Sequence, residues 1–208
     1  MSIATLLIHG GAGEADAAVS RVGGVPLVPA GTDWPVCASC LGALQFIAQI
    51  VLDGDRGVVS AFMCANDPGM CEEWDAGAGG NRAFLFPAAG LVPMHPADPA
   101  EPEDVRLLGA VRIAEPVRVD PAGHEDAAAA WSARTGRPQS EVLGQLGGEP
   151  DWLQFDETPG CAGCGTPMAF VAQLDEGPDP LTAPNFGSGT AYLHACEPCG
   201  RAAFLWQC

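Results

Sequence analysis

The chain contains no lysine. Its basic residues are nine arginines against 26 acidic residues, which gives a formal net charge of −17. A P-loop needs a lysine on the phosphates, and Schiff-base or pyridoxal-phosphate chemistry needs a lysine amine, so these classes are excluded. Nucleic-acid binding is not expected either, because few cations are available to neutralise phosphates. The charge favours a basic protein or peptide as the partner.

Long apolar runs are also missing. No run approaches the roughly 18 residues of a membrane-spanning helix. The N-terminus has no basic region before its short apolar stretch, so we expect no signal peptide, no membrane association and a cytoplasmic location. Aromatic residues make up only 7%, whereas glycine (27) and proline (19) are abundant. This composition favours short strands and many turns over long helices.

Common catalytic motifs are absent as well. The sequence has no HExxH, no GxSxG and no HxE placed before a PCxxC, which argues against zincins, α/β-hydrolases and nucleobase deaminases. We therefore expect a non-catalytic protein. An uncharacterised metal-dependent hydrolase and a thiol redox protein are the two alternatives left open.

An internal repeat is the main positive feature. Shifted by 124 positions, residues 23–50 align without a gap on residues 147–174, with ten identities in 28 positions, where chance at this composition gives about two. The match continues more loosely in SAFMCANDPGMC and TAYLHACEPC. The repeat predicts a mainly β (α+β), internally duplicated fold of two pseudo-symmetric halves, residues 1–122 and 123–208, forming one compact unit.

Periodicity locates the secondary structure. Alternating apolar residues predict strands in ALQFIAQI and PMAFVAQL, and VVSAFMC, RAFLF, AYLHA, AAFLWQ and residues 105–119 are predicted as further strands. The alanine-rich EDAAAAWSART predicts a helix between the halves, and QSEVLGQL a second, short one closed by two glycines. Residues 93–104 and 176–189 are predicted to be proline-rich loops.

Eight of the nine cysteines follow the repeat. The first half supplies Cys37, Cys40, Cys64 and Cys71, and the second supplies Cys161, Cys164, Cys196 and Cys199. Two CxxC-type pairs on turns are typical of a Cys₄ zinc site, so we predict two zinc ions per chain. Ligands could pair within a half or across the halves, His194 could substitute as a ligand, and disulfides are the alternative. Cys208 is left as a free thiol.

The predicted zinc ions are structural. Four thiolates saturate the tetrahedron, whereas a catalytic zinc usually keeps an open position. Thioredoxin-like use of either CxxC is disfavoured because each motif precedes a predicted strand, not a helix whose N-terminus would lower a thiol pKa.

Candidate partner-binding residues lie beside the second cysteine pair of the first half and in the second repeat. They are Asp67, Glu72, Glu73, Asp75 and Trp152. The four carboxylates could bind a cation or an arginine-rich partner, although a solvated turn is the simpler interpretation.

Four stretches of the chain resemble the YwqG-like bacterial proteins. They are the two repeat segments with CxxC, at residues 23–50 and 147–174, and the stretches CANDPGMCEEWDAGAGGN and YLHACEPCGRAAFLWQ. The Pro-Asp-Trp-x-Gln run at residues 150–154 and the paired cysteines are the most specific parts of the resemblance. The same stretches also resemble the eukaryotic relatives of these proteins, the programmed cell death protein 2 group. The resemblance covers most of residues 21–86 and 145–207. It implies a β-rich duplicated fold with zinc in the cysteine-rich members and no known catalysis, and it suggests chaperone-like or immunity-like roles toward another protein.

Overall fold

A computed structural model of the protein describes residues 3–96, 107–120, 123–176 and 184–208. Within these ranges the regular structure is mainly β, with one α-helix, α1 (His124–Thr135). The strands are β1 (Ala4–His9), β2 (Arg21–Val22), β3 (Leu27–Pro29), β4 (Gln45–Leu52), β5 (Gly57–Met63), β6 (Asn81–Phe86), β7 (Leu91–Pro93), β8 (Arg112–Val119), β9 (Val142–Leu146), β10 (Ala169–Asp175), β11 (Thr190–Cys196) and β12 (Arg201–Gln207).

Ten of these strands close into one barrel. Their order around it is β1, β8, β2, β4, β5, β6, β12, β11, β10, β9 and back to β1, and every neighbouring pair is antiparallel. The strands β3 and β7 form a separate two-stranded sheet. The two meanders β4–β5–β6 and β10–β11–β12 therefore sit in the same barrel and meet where β6 lies beside β12.

Strand alternation divides the side chains between two sides of the barrel wall. In β5, Val59, Ala61 and Met63 belong to the largest apolar cluster, which has members on nine of the ten barrel strands, while residues of β6 pack against it. Phe62, which points the other way, belongs to a second cluster with Phe46. Because side chains alternate along a strand, the first cluster fills the barrel and the second covers its outer face.

The helix α1 closes a third cluster against the barrel. Trp131 and Ala127 pack on Leu6 and Ile8 of β1. The helix ends at Gly136, which has φ 71° and donates its N–H to the carbonyl of Ser132. A left-handed glycine at this position is the usual helix C-terminus, so the predicted helix is confirmed.

The second predicted helix is wrong. Gln139–Glu141 forms a single 3₁₀ turn, and the rest of QSEVLGQL is β9, paired with β1 and β10. Gly144 gives the physical reason, because its φ is 145° and a Cβ there would lie 1.9 Å from the carbonyl oxygen of Gln173. Close approach of two strands needs glycine, and this tertiary requirement overrides the local helical pattern.

The strand predicted after each CxxC motif is confirmed, as β4 and β10. The further strands predicted in VVSAFMC, RAFLF, AYLHA and AAFLWQ are confirmed as β5, β6, β11 and β12. Residues 105–119 were predicted as strand, and in their described part, 107–119, the structure gives one strand, β8. The predicted proline-rich loops lie partly outside the described residues, at 97–104 and 177–183. No helix in the described part of the chain is both long and apolar enough to cross a lipid bilayer.

Candidate metal centres

The first CxxC forms a tight knuckle directly before β4. The N–H of Cys37 donates to the carbonyl of Gly42 over 2.9 Å, and the N–H of Leu41 donates to the carbonyl of Cys37 over 3.0 Å. Leu41 has φ 63°, a left-handed conformation that bends the chain back toward β4. The bend places Cys37 and Cys40 on one side of the turn.

The second cysteine pair of the first half lies across a longer turn. Cys64 follows the end of β5, and the six residues up to Cys71 fold back because the N–H of Met70 donates to the carbonyl of Asp67 over 3.1 Å. The Glu73 carboxylate accepts the N–H of Gly69 at 2.5 Å. These bonds bring Cys71 beside Cys64 despite their unusual spacing.

The other centre is built from the second half. Cys161 and Cys164 form a knuckle before β10, in which the N–H of Gly165 donates to the carbonyl of Cys161 over 2.7 Å. Cys196 ends β11, and a 3₁₀ turn, Glu197–Cys199, carries Cys199 back to it. Each knuckle precedes a strand, as predicted.

The eight sulfur atoms form two compact groups. Within each group of four, all Sγ atoms lie within 4.8 Å of one another. The Sγ atoms of Cys40 and Cys64 are 3.7 Å apart, and those of Cys164 and Cys196 are 3.8 Å apart. A tetrahedron with Zn–S bonds of about 2.3 Å has an edge of about 3.8 Å. The spacing therefore fits four thiolates around one ion.

This arrangement settles how the ligands pair. Each group draws all four cysteines from one half of the chain, so the pairing across halves left open by the sequence does not occur. All nine cysteines lie within the described residues and all are free thiols. The disulfide alternative is not supported, since a disulfide needs sulfurs about 2.05 Å apart.

Hydrogen bonds to sulfur surround the first centre. The side-chain amide of Asn66 donates to the Sγ atoms of Cys64 at 3.3 Å and Cys40 at 3.6 Å. Burial raises the pKa of Cys37, but the N–H groups of Cys40 and Ser39 donate to its sulfur and bring the pKa down to about 7. Such donors stabilise the thiolate, which is the form that ligates a metal.

The second centre has comparable donors. The hydroxyl and N–H of Thr166 lower the pKa of Cys164 to about 6, and the N–H of Gly163 donates to the Cys161 Sγ at 3.3 Å. The neighbouring sulfurs instead raise the pKa of Cys199 to about 12. A second thiolate is unfavourable beside the first unless a cation lies between them, so the group suits a cation.

The sequence prediction missed the donors Asn66, Thr166 and Gly163. A signal was present, because each stands two residues after a cysteine, at the position where a turn directs an N–H or a polar side chain back to the sulfur.

The two centres share a hydrogen-bond pattern displaced by 124 residues. Leu44 donates to the carbonyl of Pro35 at 3.0 Å, and Met168 donates to that of Pro159 at 2.9 Å. The pairing of β4 with β5 shifts register between Phe46 and Ala48. The pairing of β10 with β11 shifts between residues 170 and 172, at the same offset.

The predicted partner-binding carboxylates serve two different purposes. Glu73 is only 3% exposed and accepts the N–H of Gly69 in the turn before Cys71, so its carboxylate is placed to hold this turn. The carboxylate of Asp75 accepts the N–H groups of Gly77 and Ala78. Asp67 and Glu72 are exposed, and partner binding by the exposed acids stays a prediction.

Trp152 is half-buried on the outer face of β11. Its ring lies 4.3 Å from that of Tyr192 and stacks on His194 at 5.8 Å and 11°. His194 itself is buried, and burial lowers its pKa to about 4. It belongs to neither sulfur group, so its substitution as a ligand is not supported. Cys208 also stands outside both groups and is exposed.

Comparison with known proteins adds no assignment, since no protein-family model and no curated protein matches the chain. The geometry of the two sulfur groups is thus the observation from which function has to be argued.

Proposed function

We propose that the chain is a non-catalytic protein-interaction module in which two structural zinc ions hold a duplicated β fold. The observation that carries the proposal is the pair of four-sulfur groups with tetrahedral spacing. Four protein thiolates leave no position for a substrate, and structural zinc contributes apparent folding energies of about 10–16 kcal/mol in small modules. The ions then stabilise the outer face of the barrel, where the interaction surface lies.

Duplication of one ancestral unit is part of the proposal. The ten identities at an offset of 124 are supported by the knuckle hydrogen bonds and by the register shifts that recur at the same offset. The relationship to YwqG-like proteins and to the programmed cell death protein 2 group belongs to the same proposal, as does a cytoplasmic location.

The proposed partner is a basic protein or peptide. A tetrathiolate zinc centre carries a charge of −2, so two centres would make the formal −17 more negative by about four. Such a field attracts cationic partners and speeds their association, and salt screens the attraction. A chaperone-like or immunity-like role toward that partner follows from this charge and from the family resemblance.

Affinity purification at low and high salt tests the proposal. The tagged native protein is expected to retain a basic protein at low salt and to release it at high salt. Substitution of the exposed acids, Asp67→Asn with Glu72→Gln, should weaken retention, whereas Glu149→Gln is the matched exposed control. Hydrolysis of a substrate panel that depends on added metal would instead support the hydrolase alternative. Reversible loss of free thiols at mild potentials would support the redox alternative.

A further inference from the structure

The two metal centres group their sulfurs alike but differ in what they expose. In the first centre, Leu41 of the knuckle is 75% exposed, Val36 at its base is 49% exposed, and Met70 in the second turn is 72% exposed. The second centre has glycine at both equivalent knuckle positions, Gly160 and Gly165, and its second turn has two residues between the cysteines instead of six. In these two turns of the second centre, both within the described residues, no large apolar side chain is exposed. A four-sulfur group therefore does not require the three exposed side chains of the first centre.

The exposed apolar residues lie on two turns that pack together. Asn66, in the turn that carries Met70, donates its side-chain amide to the carbonyl of Ala43 in the knuckle over 3.1 Å. A Cβ on the glycine that follows Leu41 would lie 2.6 Å from the same amide nitrogen. Ala43 in turn pairs with Val36 across the base of the knuckle. We call the surface of Val36, Leu41 and Met70 the apolar tip.

Leucine at position 41 is unfavourable for the isolated fold. Its φ is 63°, a left-handed conformation that suits glycine, and the equivalent Gly165 has φ 75°. Its side chain stays in water, so the hydrophobic effect gives the folded state no return for it. Residues kept in unfavourable conformations concentrate at functional sites. A contact with another molecule therefore explains Leu41 better than folding does.

Acidic residues accompany the apolar tip. Asp67 stands in the same turn as Met70 and accepts its N–H on the backbone carbonyl over 3.1 Å. Glu72 and Asp75 follow closely along the chain, and all three acids are exposed. One cation, Arg82, lies near the knuckle, but a zinc ion bound by four thiolates would add a charge of −2. Negative charge thus predominates around the apolar tip.

We propose that the apolar tip is the docking surface for a short basic segment of a partner protein, in which a bulky apolar side chain stands between arginines or lysines. The apolar side chain covers Leu41 and Met70, and the cations pair with Asp67 and Glu72. Anchors at the centre of an interface dominate its binding energy, charges at the rim steer association, and methionine adapts its shape to the ligand. This inference rests on the proposed function, because it names how a basic partner is recognised.

The test is selection of a displayed random dodecapeptide library on the native, metal-loaded protein at low salt. The enriched peptides are expected to combine Arg or Lys with Leu, Phe, Met or Trp. A synthetic copy of the best one should bind about tenfold more weakly to Leu41→Gly and to Met70→Gln, since each variant removes apolar area that the peptide would cover. Leu153→Gln is the matched control, because Leu153 is 54% exposed and lies outside both centres; it should bind like the wild type.

Two measurements separate loss of binding from loss of folding. Leu41→Gly should resist denaturant at least as well as the wild type while it binds the peptide more weakly, whereas a purely structural role for Leu41 would weaken both. In the unsubstituted protein, the methyl signals of Leu41 and Met70 should shift on addition of the peptide. The second measurement tests the proposal even where a variant fails to fold.

Three results would overturn the proposal, and they differ in what they leave standing. If basic peptides bound the Leu41 and Met70 variants like the wild type but lost affinity for Asp67→Asn/Glu72→Gln, the acidic surface alone would hold the partner, and the proposed function would stand. If no peptide, or only acidic peptides, were enriched, the result would also contradict a basic partner. A dimer in sedimentation that Leu41→Gly dissociates would assign the apolar tip to a second copy of the chain.

Discussion

Arg21 and Gln145 stand 124 positions apart and make the same pair of contacts. The guanidinium of Arg21 donates to the carbonyls of Gly23 and Val25, and the amide of Gln145 donates to those of Gly147 and Glu149 at 2.9 and 3.0 Å. Both side chains are buried. Each secures the glycine turn that leads toward its knuckle, so two different residue types perform one structural task.

This relationship predicts that glutamine replaces Arg21 better than methionine does. Arg21→Gln keeps donors for the two carbonyls, whereas Arg21→Met fills similar volume but leaves them unpaired, at a cost of about 1–3 kcal/mol for a buried group. Urea unfolding of the metal-loaded variants measures the difference. Equal stability of the two variants would show that hydrogen bonding at this position is not what matters.

Loss of one ligand should remove one metal and leave the other. Cys64→Ser breaks the first group, whereas the second lies in the other half of the chain and shares no ligand with it. Native mass spectrometry should find one ion per chain, and the free energy of unfolding should fall by several kcal/mol. Cys208→Ser, outside both groups, is the control and should keep two ions. Two ions retained in Cys64→Ser would contradict the ligand assignment.

The partly buried pair of His124 and Asp175 predicts a pH-dependent contribution to stability. Their Nε2 and Oδ2 atoms are 2.8 Å apart. Burial lowers the pKa of His124, but the hydrogen bond and charge of Asp175, with smaller contributions from Asp151 and Glu125, raise it overall. A raised folded-state pKa stabilises the fold below the unfolded value near 6.5, and this stabilisation is lost as the pH rises through the folded pKa.

His124→Gln should therefore destabilise the protein more in mildly acidic than in alkaline buffer. Asp175→Asn should show the same dependence, because its carboxylate is the cause of the raised pKa. Thermal unfolding followed across the pH range gives the readout. If the stability lost in His124→Gln increased as the pH rises, the result would contradict a stabilising interaction between protonated His124 and Asp175.

Replacement of Leu41 by glycine is predicted to stabilise the protein. It has φ 63° and is 75% exposed, and Gly165 occupies the equivalent knuckle position with φ 75°. The left-handed conformation costs a non-glycine residue about 1–2 kcal/mol, and glycine's larger unfolded-state entropy offsets part of that. Leu41→Gly should raise stability by up to about 1 kcal/mol, and Gly165→Leu should lower it. Chemical denaturation that finds Leu41→Gly less stable would refute the equivalence.

The two four-cysteine groups could be predicted because their signal is local and occurs twice. The spacing of Cys37 with Cys40 recurs at Cys161 with Cys164, and the strands that follow alternate clearly between apolar and polar positions. Helix α1 was predictable for a similar reason, since its alanine run favours a helix and a glycine ends it.

Features that depend on distant segments could not be predicted. The segment of β9 has helical composition, and only the approach of Gln173 shows why Gly144 must lie in a strand. Burial of Glu73 depends on the turn that it braces. Arg82 and Arg201 lie on neighbouring strands because β6 adjoins β12, a strand order that a chain of short strands does not reveal.

Metal content of natively purified protein tests the account most directly. Elemental analysis with native mass spectrometry should find two zinc ions per chain, and alkylation without denaturation should modify Cys208 while the eight other thiols stay protected. Removal of the metal by a chelator should expose those eight and unfold the outer face of the barrel. Folded protein that contains no bound metal, with all nine thiols reactive, would contradict the account.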